Sequence, residues 1–304
     1  MQKDTIYELL NNLQDPSSME IRKKIDMVAK LNTNVLFVGE TGTGKDFWSN
    51  YLFHKSGKEN ILNLNCGDVP ENLLESEWFG YKKGAFTGAD RDYEGKWKKA
   101  ENGILFLNQI DLLGLNMQAR LLRIIERKKY FSLGSPVETG INSRFIFSVD
   151  FDIEEKVKRK EFRQDLFYRI SSYMISIPSL NKREKDIIPL LEYFSKKRGL
   201  AINLTHAGYR YITGYKWPGN IREIENFVNN ISITKDSIDD HDAARLDKIP
   251  AGDFNNENES TLKEMERKYI KHLINKYKNK SKVAKILGIS RKALYDKLER
   301  YGKN

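Results

Sequence analysis

The chain has 304 residues, of which 39% are hydrophobic and 11% aromatic, so it holds enough apolar side chains for a buried core and is not a disordered polymer. No apolar run approaches the ~18 residues of a membrane-spanning helix, and the first residues lack the apolar stretch of a signal peptide. The single cysteine, Cys66, excludes an internal disulfide and suits a cytoplasmic protein. The four histidines are scattered, so they predict no metal site.

The net charge of +10 is concentrated at one end of the chain. Residues 260–304 carry 14 Lys and Arg but only four Asp and Glu, so this segment accounts for the whole excess. A compact basic segment attached to a neutral body predicts a nucleic-acid-binding module. A solvated basic tail is the alternative.

Short apolar runs alternate with helical patterns in the first half of the chain. Residues 35–38, 104–107 and 145–149 have the composition of buried parallel strands, and residues 118–126 place apolar side chains on one side of a helix. This alternation predicts an α/β domain with a parallel sheet.

The second half of the chain has a different residue pattern. Residues 185–232 have helical periodicity throughout, which predicts a smaller helical subdomain. Residues 249–260 are polar and contain Pro, Gly and Asn, which predicts a linker. A helix is expected to begin again at Thr261, which has capping-box spacing with Glu264.

A glycine-rich segment, Gly39-Glu-Thr-Gly-Thr-Gly-Lys-Asp46, follows the first predicted strand and precedes a helical stretch. This Gly-x4-Gly-Lys pattern predicts a phosphate-binding loop, in which backbone N–H groups and the helix N-terminus bind phosphate. Lys45 would reach the outer phosphates, whereas Asp46 replaces the usual Ser or Thr ligand of magnesium. An ordinary Gly-rich turn is the alternative. The predicted nucleotide-binding residues of the loop are Gly39, Glu40, Thr41, Gly42, Thr43, Gly44, Lys45 and Asp46.

A second motif, Gly84-Ala-Phe-Thr-Gly-Ala89, stands between this loop and the second predicted strand. It is identical to the GAFTGA signature of the sigma-54-dependent transcription activators, and the chain resembles that family over about residues 17–236 and again from residue 261. The resemblance implies an α/β fold, namely an AAA+ P-loop parallel sheet with a small helical lid, followed by an all-α helix-turn-helix domain. The implied parts are a short leader (1–14), the nucleotide-binding subdomain (15–180), the lid (181–248), the linker (249–260) and a Fis-type DNA-binding domain (261–304).

The resemblance also implies partners for the loop. In this family the GAFTGA loop projects from a hexameric ring and pushes on sigma-54 within RNA polymerase, with Phe86 and Thr87 as the expected contacts. The ring would contain copies of this chain or of a paralogue. The implied sigma-54 contact residues are Gly84, Ala85, Phe86, Thr87, Gly88 and Ala89.

Further roles at the nucleotide follow from the same resemblance. Asn65 matches the switch asparagine that holds the catalytic glutamate in the idle state. Arg163 and Arg169 match the arginine-finger segment, and either would reach the γ-phosphate held by a neighbouring subunit. Arg222 matches the second sensor, which contacts the bound nucleotide.

The chain departs from the family where catalysis is expected. The Asp-Glu pair that ends the second strand is replaced by Asn108 and Gln109. An amide cannot act as a general base, which contributes ~10²–10⁴ in rate, and the lost carboxylate weakens the site for magnesium. We therefore expect ATP to bind, Mg²⁺ to bind weakly, and hydrolysis to be weak or absent, so that the chain's status as an enzyme is open.

The first sensor departs as well, because it reads Ser148-Val149-Asp150 where relatives carry Ala-Thr-Asn. One hypothesis is that Asp150 partly restores a carboxylate near magnesium. Amides at positions 108 and 109 are also what an experimenter would choose to trap an ATP-bound state, but the changes at Val149 and Asp150 favour natural divergence.

The intact GAFTGA loop beside an altered catalytic strand has three explanations. In a mixed ring, this chain contributes its loop and arginine fingers while a competent paralogue hydrolyses ATP. In the second, ATP binding alone positions the loop. In the third, the ring is only a scaffold for a DNA-binding repressor, although preservation of the loop argues against it.

The basic C-terminal segment resembles the Fis-type helix-turn-helix of this family. A short helix capped at Ser281, a turn at Gly288 and a second helix capped at Ser290 are predicted, with Leu294 facing inward. The second helix would enter the major groove of double-stranded DNA at an enhancer site. A protein-binding helical hairpin is the alternative. The predicted DNA-contacting residues are Ser290, Arg291, Lys292, Tyr295 and Asp296.

The sequence therefore predicts a cytoplasmic, oligomeric regulator that binds ATP and DNA and activates transcription through sigma-54. The alternative is a repressor or architectural DNA-binding protein with an inert AAA+ body. Only about 15 residues precede the family match, so regulation is expected to come from another protein, from partner subunits or from expression level. No membrane association is expected.

Overall fold

A computed structural model describes residues 3–246 of the chain, together with the single positions Lys280 and Leu294. The chain divides into two compact units, Met1–Ile249 and Pro250–Asn304. Leu294, which was predicted to face inward, is fully buried. The predicted linker (249–260) and all five predicted DNA-contacting positions lie outside the described residues.

The first unit is built on a five-stranded parallel sheet with the strand order β2-β3-β6-β1-β7. Val38 pairs with Val149 and Leu107 with Phe147, so the carboxyl ends of the three central strands lie side by side. All three predicted strands are confirmed, and β3 and β6 are each one residue longer than predicted. The strands of this sheet are β1 (Val35–Val38), β2 (Ile61–Asn65), β3 (Ile104–Asn108), β6 (Arg144–Val149) and β7 (Met174–Ser176), and two smaller pairs are formed by β4 (Lys129–Phe131) with β5 (Glu138–Gly140) and by β8 (Ala201–Asn203) with β9 (Ser237–Asp239).

Helices cover both faces of the sheet, and neighbouring strand residues point into two different apolar cores. Phe106 and Ile146 belong to the core shared with α1, α2 and α3. Leu105 and Phe145 belong to the core shared with α4, α5 and α7. The helices are α1 (Lys3–Asn12), α2 (Pro16–Val28), α3 (Lys45–Ser56), α4 (Glu71–Phe79), α5 (Leu115–Arg127), α6 (Ile153–Lys158), α7 (Gln164–Ile170), α8 (Ile187–Arg198), α9 (His206–Gly214), α10 (Asn220–Ser232) and α11 (Asp240–Arg245).

The helical subdomain predicted after the sheet is formed by α8 to α11 and the β8–β9 pair. Its apolar residues, including Leu190, Trp217 and Ile224, continue the core beneath α3. The subdomain therefore shares one apolar core with β1 and α3.

The first helix is part of this packing. Residues 3–12, assigned to a leader from the sequence, form α1, whose Ile6, Leu9 and Leu10 are buried. The helix contacts α3 on the sheet and α8 in the helical subdomain, so it bridges the two.

A buried arginine ties α2 to the sheet. Arg144, at the start of β6, is 2% exposed. Its guanidinium donates hydrogen bonds to the carbonyls of Val28 at 2.9 Å, Ala29 at 2.5 Å and Thr33 at 3.0 Å. These bonds hold the C-terminal end of α2 and the loop that follows it against the start of β6.

No helix within residues 3–246 combines the length and apolar character that a bilayer span requires.

Candidate nucleotide-binding site

The phosphate loop connects the carboxyl end of β1 to the first turn of α3. Gly42 and Gly44 have φ values of +80° and +97°, in the left-handed region that favours glycine. A Cβ at Gly42 would overlap the carbonyl oxygen of Gly219. The loop therefore requires glycine at position 42 for its conformation and for the close approach of the helical subdomain.

Lys45 begins α3 and is 8% exposed. Its Nζ donates hydrogen bonds to the carbonyl of Gly39 and, at 3.0 Å, to the carbonyl of Glu40. Burial lowers the pKa of Lys45, and the negative charge of Asp150 opposes this effect. The ammonium group thus lies against the phosphate loop, where it was predicted to contact the phosphates of a nucleotide.

A cavity of ≈ 420 Å³ lies between this loop, the carboxyl ends of β2 and β3, and the helical subdomain. It brings together most of the predicted nucleotide-site residues. Thr43, Asp150, Arg163 and Arg169 are not among its lining residues, and Gly39 and Glu40 line a neighbouring cavity of ≈ 610 Å³. The residues lining the first cavity are Leu9, Thr41, Gly42, Gly44, Lys45, Asp46, Phe47, Asn65, Asn108, Gln109, Tyr193, Phe194, Lys197, Ile221, Arg222 and Glu225.

The altered end of β3 forms a hydrogen-bonded network across the floor of the cavity. Gln109 has a left-handed φ of 58°, and its backbone N–H donates to Ser148 Oγ at 3.0 Å. The Ser148 hydroxyl donates to Asn108 Oδ1. Asn108 Nδ2 then donates to Asp46 Oδ1 at 2.9 Å. The network joins β6, β3 and the start of α3.

Magnesium, which the resemblance implies for this site, requires oxygen ligands, above all carboxylates. Asn108, at the end of β3, directs an amide N–H group at Asp46. One Asp46 oxygen is therefore already engaged. An aspartate at position 108 would instead offer a carboxylate oxygen. The lining contains two carboxylates, Asp46 and Glu225, but amides stand at positions 108 and 109, so the cavity does not match the carboxylate-rich ligand set that magnesium prefers.

Asn65, the predicted switch residue, ends β2 directly opposite Asn108. Its Nδ2 donates to Asp68 Oδ1 at 2.8 Å, and its Oδ1 accepts from the N–H of Gly67 at 3.1 Å. Asn65 thus lines the cavity, but its hydrogen bonds within the described residues go to the turn that follows β2, and its switch role stays a prediction.

Contacts from the helical subdomain to the phosphate loop were missed by the sequence analysis. Asn220 is 1% exposed, and its Nδ2 donates to Glu40 Oε2 and to the carbonyl of Thr41, both at 3.1 Å. The N–H of Ile221 donates to the carbonyl of Gly42 at 2.9 Å. These residues directly precede the predicted sensor Arg222, which does line the cavity. The signal available in the sequence was Trp217-Pro-Gly-Asn-Ile-Arg222, in which only the arginine was given a role.

The two candidate arginine fingers lie around the start and end of α7. Arg163 forms two hydrogen bonds with Asp165, from Nε at 3.0 Å and from Nη2 at 2.7 Å. Arg169 is exposed on the last turn of the helix. Neither lines the cavity of its own chain, so a role at the nucleotide would require a second subunit.

The GAFTGA loop is a closed turn on the surface. The N–H of Gly84 donates to the carbonyl of Ala89 at 2.9 Å. Phe86 is 44% exposed, although its ring has an edge-to-face contact with Tyr81 at 5.0 Å between centroids. Thr87 is exposed. The two predicted contact residues are therefore accessible to a partner.

A phosphate loop at the end of a central parallel strand, a cavity at the carboxyl ends of the strands and a helical lid over it define an AAA+ type nucleotide-binding fold. Family models agree along the chain: the sigma-54 interaction domain matches residues 12–176, the AAA+ ATPase lid domain residues 181–265, and the bacterial regulatory protein, Fis family, residues 261–301. The chain belongs to the sigma-54-dependent activator family.

Curated relatives support this assignment. The transcriptional regulatory protein ZraR of Klebsiella oxytoca is 36% identical over 298 residues, which cover 94% of this chain and 67% of the relative. The Nif-specific regulatory protein of Azotobacter vinelandii is 36% identical over 224 residues, or 72% of this chain and 43% of the relative. The chain therefore matches less than half the length of that second relative.

A solved structure supports the fold. NtrX from Brucella abortus, in complex with ADP, aligns with a TM-score of 0.73 at 24% identity, over 95% of this chain and 68% of that one. At this level of identity the similarity concerns the fold alone.

Proposed function

We propose that the chain is an ATP-binding and DNA-binding regulator that acts on sigma-54 RNA polymerase. The observation that carries the proposal is an intact GAFTGA loop, with Phe86 and Thr87 exposed, in the same compact unit as a Gly-x4-Gly-Lys phosphate loop. Membership of the sigma-54-dependent activator family supports it. ATP would bind in the cavity beside Lys45 and Arg222.

We further propose that hydrolysis is weak in this chain. Asn108 and Gln109 line the cavity where a relative would have carboxylates. Neither amide can accept a proton from water at neutral pH. In a ring with a competent paralogue, this chain would still supply its GAFTGA loop, and Arg163 or Arg169 would serve the neighbouring site.

The match to the Fis family supports DNA binding by residues 261–301. The proposed ligand is double-stranded DNA at an enhancer site, contacted through the positions predicted from the sequence. Lysines of this segment would contact phosphates, so binding would weaken as salt is raised.

A second candidate function is that of a DNA-binding repressor or architectural protein whose AAA+ body is an inert scaffold. The same two amides favour it, because an inert body has no need of a catalytic base. The two functions differ in what the GAFTGA loop does, since only an activator needs its contact residues.

Transcription from a sigma-54 promoter separates these functions. In the activator, Thr87→Ala abolishes activation, whereas Thr234→Ala, at an exposed threonine after α10, leaves it unchanged. If Thr87→Ala has no effect on transcription, the repressor or scaffold is the correct function. Each variant is first shown to bind promoter DNA like the wild type, so that a lost DNA contact is not mistaken for a lost sigma-54 contact.

ATP turnover by the pure protein tests the proposal on hydrolysis. We expect ATP to bind and phosphate release to stay below ~10% of the rate of an ordinary activator, as the missing base requires. Binding and turnover are measured in the same preparation at a ring-forming concentration. A rate near that of ordinary activators would contradict the proposal of weak hydrolysis but not that of nucleotide binding.

A further inference from the structure

The orientation of the Asn108 amide is fixed by its two neighbours. On one side, Nδ2 of Asn108 donates a hydrogen bond to Asp46 Oδ1 at 2.9 Å. The opposite side of the amide, Oδ1, accepts from the Ser148 hydroxyl. Rotating the amide by 180° would place two oxygen acceptors against each other at Asp46. The amide therefore presents its N–H groups to the cavity side of the strand.

This orientation places hydrogen-bond donors at position 108, where an aspartate would place acceptors. A carboxylate here would offer oxygen atoms to a cation, whereas Asn108 offers two N–H donors. One of them is used by Asp46, and Asn108 lines the cavity, so the other is available to an anion bound there. Oxygen atoms of a phosphate group are suitable acceptors for such a donor.

The charge of the cavity lining also favours an anion. Three of its side chains are basic, namely Lys45, Lys197 and Arg222, and two are acidic, Asp46 and Glu225. The excess of one positive charge would become an excess of one negative charge if residues 108 and 109 were Asp and Glu. A polyphosphate without a bound cation would then meet repulsion that this chain lacks.

We propose that this site binds nucleoside di- and triphosphates in their magnesium-free form, with Asn108 Nδ2 as a direct ligand of a phosphate oxygen. The inference rests on the proposed nucleotide binding and specifies the ionic form of the ligand. The N–H donor of Asn108 and the net positive charge of the cavity lining attract the phosphate groups in place of a bound cation. Nucleotide binding by this chain is accordingly insensitive to removal of magnesium.

Calorimetric titration of the full chain with ADP and with ATP, in Mg²⁺ and in EDTA, tests the inference. We expect wild-type dissociation constants in the two conditions to agree within about threefold, because no carboxylate at position 108 opposes the metal-free phosphates. Asn108→Asp is expected to bind at least about tenfold more weakly in EDTA than in Mg²⁺, since the new carboxylate faces both Asp46 and the phosphates. Asn116→Asp, which adds the same charge at an exposed position on α5, is the matched control and is expected to behave like the wild type.

Asn108→Ala separates the direct contact from the charge effect. It removes the N–H donor without adding a charge, and it is expected to weaken binding about fivefold or more in EDTA, as the loss of a hydrogen bond to a charged group requires. If Asn108→Ala binds like the wild type, the assignment of Nδ2 as a phosphate ligand is overturned. If Asn108→Asp does not fold, the Asn108→Ala and wild-type titrations alone test both the phosphate contact and the magnesium-free binding.

Failure of the inference can be told apart from failure of the proposed function. Wild-type binding that is strong in Mg²⁺ and lost in EDTA overturns magnesium-free binding and leaves nucleotide binding intact. Absence of binding in both conditions overturns nucleotide binding itself, and with it the inference.

Discussion

The guanidinium of Arg183 donates a hydrogen bond from Nη2 to the main-chain carbonyl of Thr43, in the middle of the phosphate loop, at 2.6 Å. Arg183 is 1% exposed and Thr43 is fully buried. Burial lowers the pKa of Arg183 to about 10, with the charge of Asp186 opposing the shift, so the side chain stays protonated at neutral pH. Asp186 in turn accepts the N–H groups of Gln14 and Asp15 at 2.8 Å each. Buried polar groups thus connect the turn before α2 to the phosphate loop.

Arg183→Met is expected to lower the free energy of unfolding by about 3 kcal/mol, because it leaves the Thr43 carbonyl and the Asp186 carboxylate buried without the charge that stabilises them. Urea unfolding measures the effect. Lys182→Met, at the exposed neighbouring position, is the control and is expected to change stability by less than about 0.5 kcal/mol. Equal effects of the two substitutions would show that the buried bond to Thr43 is not stabilising.

Asn220→Asp is expected to destabilise the contact between the lid and the phosphate loop. Aspartate tolerates the left-handed φ of 54° at this position and can still accept the N–H of Leu180, but its carboxylate would lie against the Glu40 carboxylate. We expect a loss of about 2–4 kcal/mol in the free energy of unfolding.

The double variant Asn220→Asp with Glu40→Gln is the control for this charge effect. Glutamine at position 40 can donate to the new carboxylate, so most of the lost stability should return. A double-mutant cycle by urea unfolding measures the coupling. Strictly additive effects of the two substitutions would contradict the proposed repulsion.

The parallel sheet and the phosphate loop were predictable from the sequence because each depends on local pattern. Val35–Val38 is a continuous apolar run, and the glycines after it suit only a tight loop. Arg183 was not predictable, because a charged residue in a polar segment gives no sign that it will be buried. Its partner Thr43 is 140 residues away, and only tertiary packing brings the two together.

Within the site, the hydrogen-bond network at Asn108 likewise depends on tertiary packing that the sequence alone does not predict. The resemblance identified Asn108 and Gln109 as departures, and the missing carboxylates could be inferred from the residue types alone. The direction in which the Asn108 amide points could not, because it depends on Ser148 and Asp46, which come from two other elements. Contacts between elements decided the chemistry of this position.

The double substitution Asn108→Asp with Gln109→Glu is expected to raise ATP turnover by about 10² or more, because it restores a base for the attacking water and a carboxylate for magnesium. Phosphate release in saturating Mg²⁺ measures the effect. Asn108→Asp alone lacks the base and is expected to stay near the wild-type rate. Failure of the double variant to gain activity, with nucleotide binding retained, would place the catalytic deficit elsewhere, for example at Val149 or Asp150.

Gly88→Ala is expected to reduce activation at a sigma-54 promoter by about tenfold or more, because a φ of +96° is strained for any residue with a Cβ and the exposed loop will rearrange to relieve that strain. No atom lies within 4 Å of a Cβ at this position, so the effect comes from backbone conformation and not from a clash. Gly140→Ala is the matched control, since its Cβ also meets open space and its φ lies outside the left-handed region. Both variants should bind ATP and unfold at wild-type temperatures. Full activation by Gly88→Ala would mean that the conformation of the GAFTGA loop does not determine its contact with sigma-54.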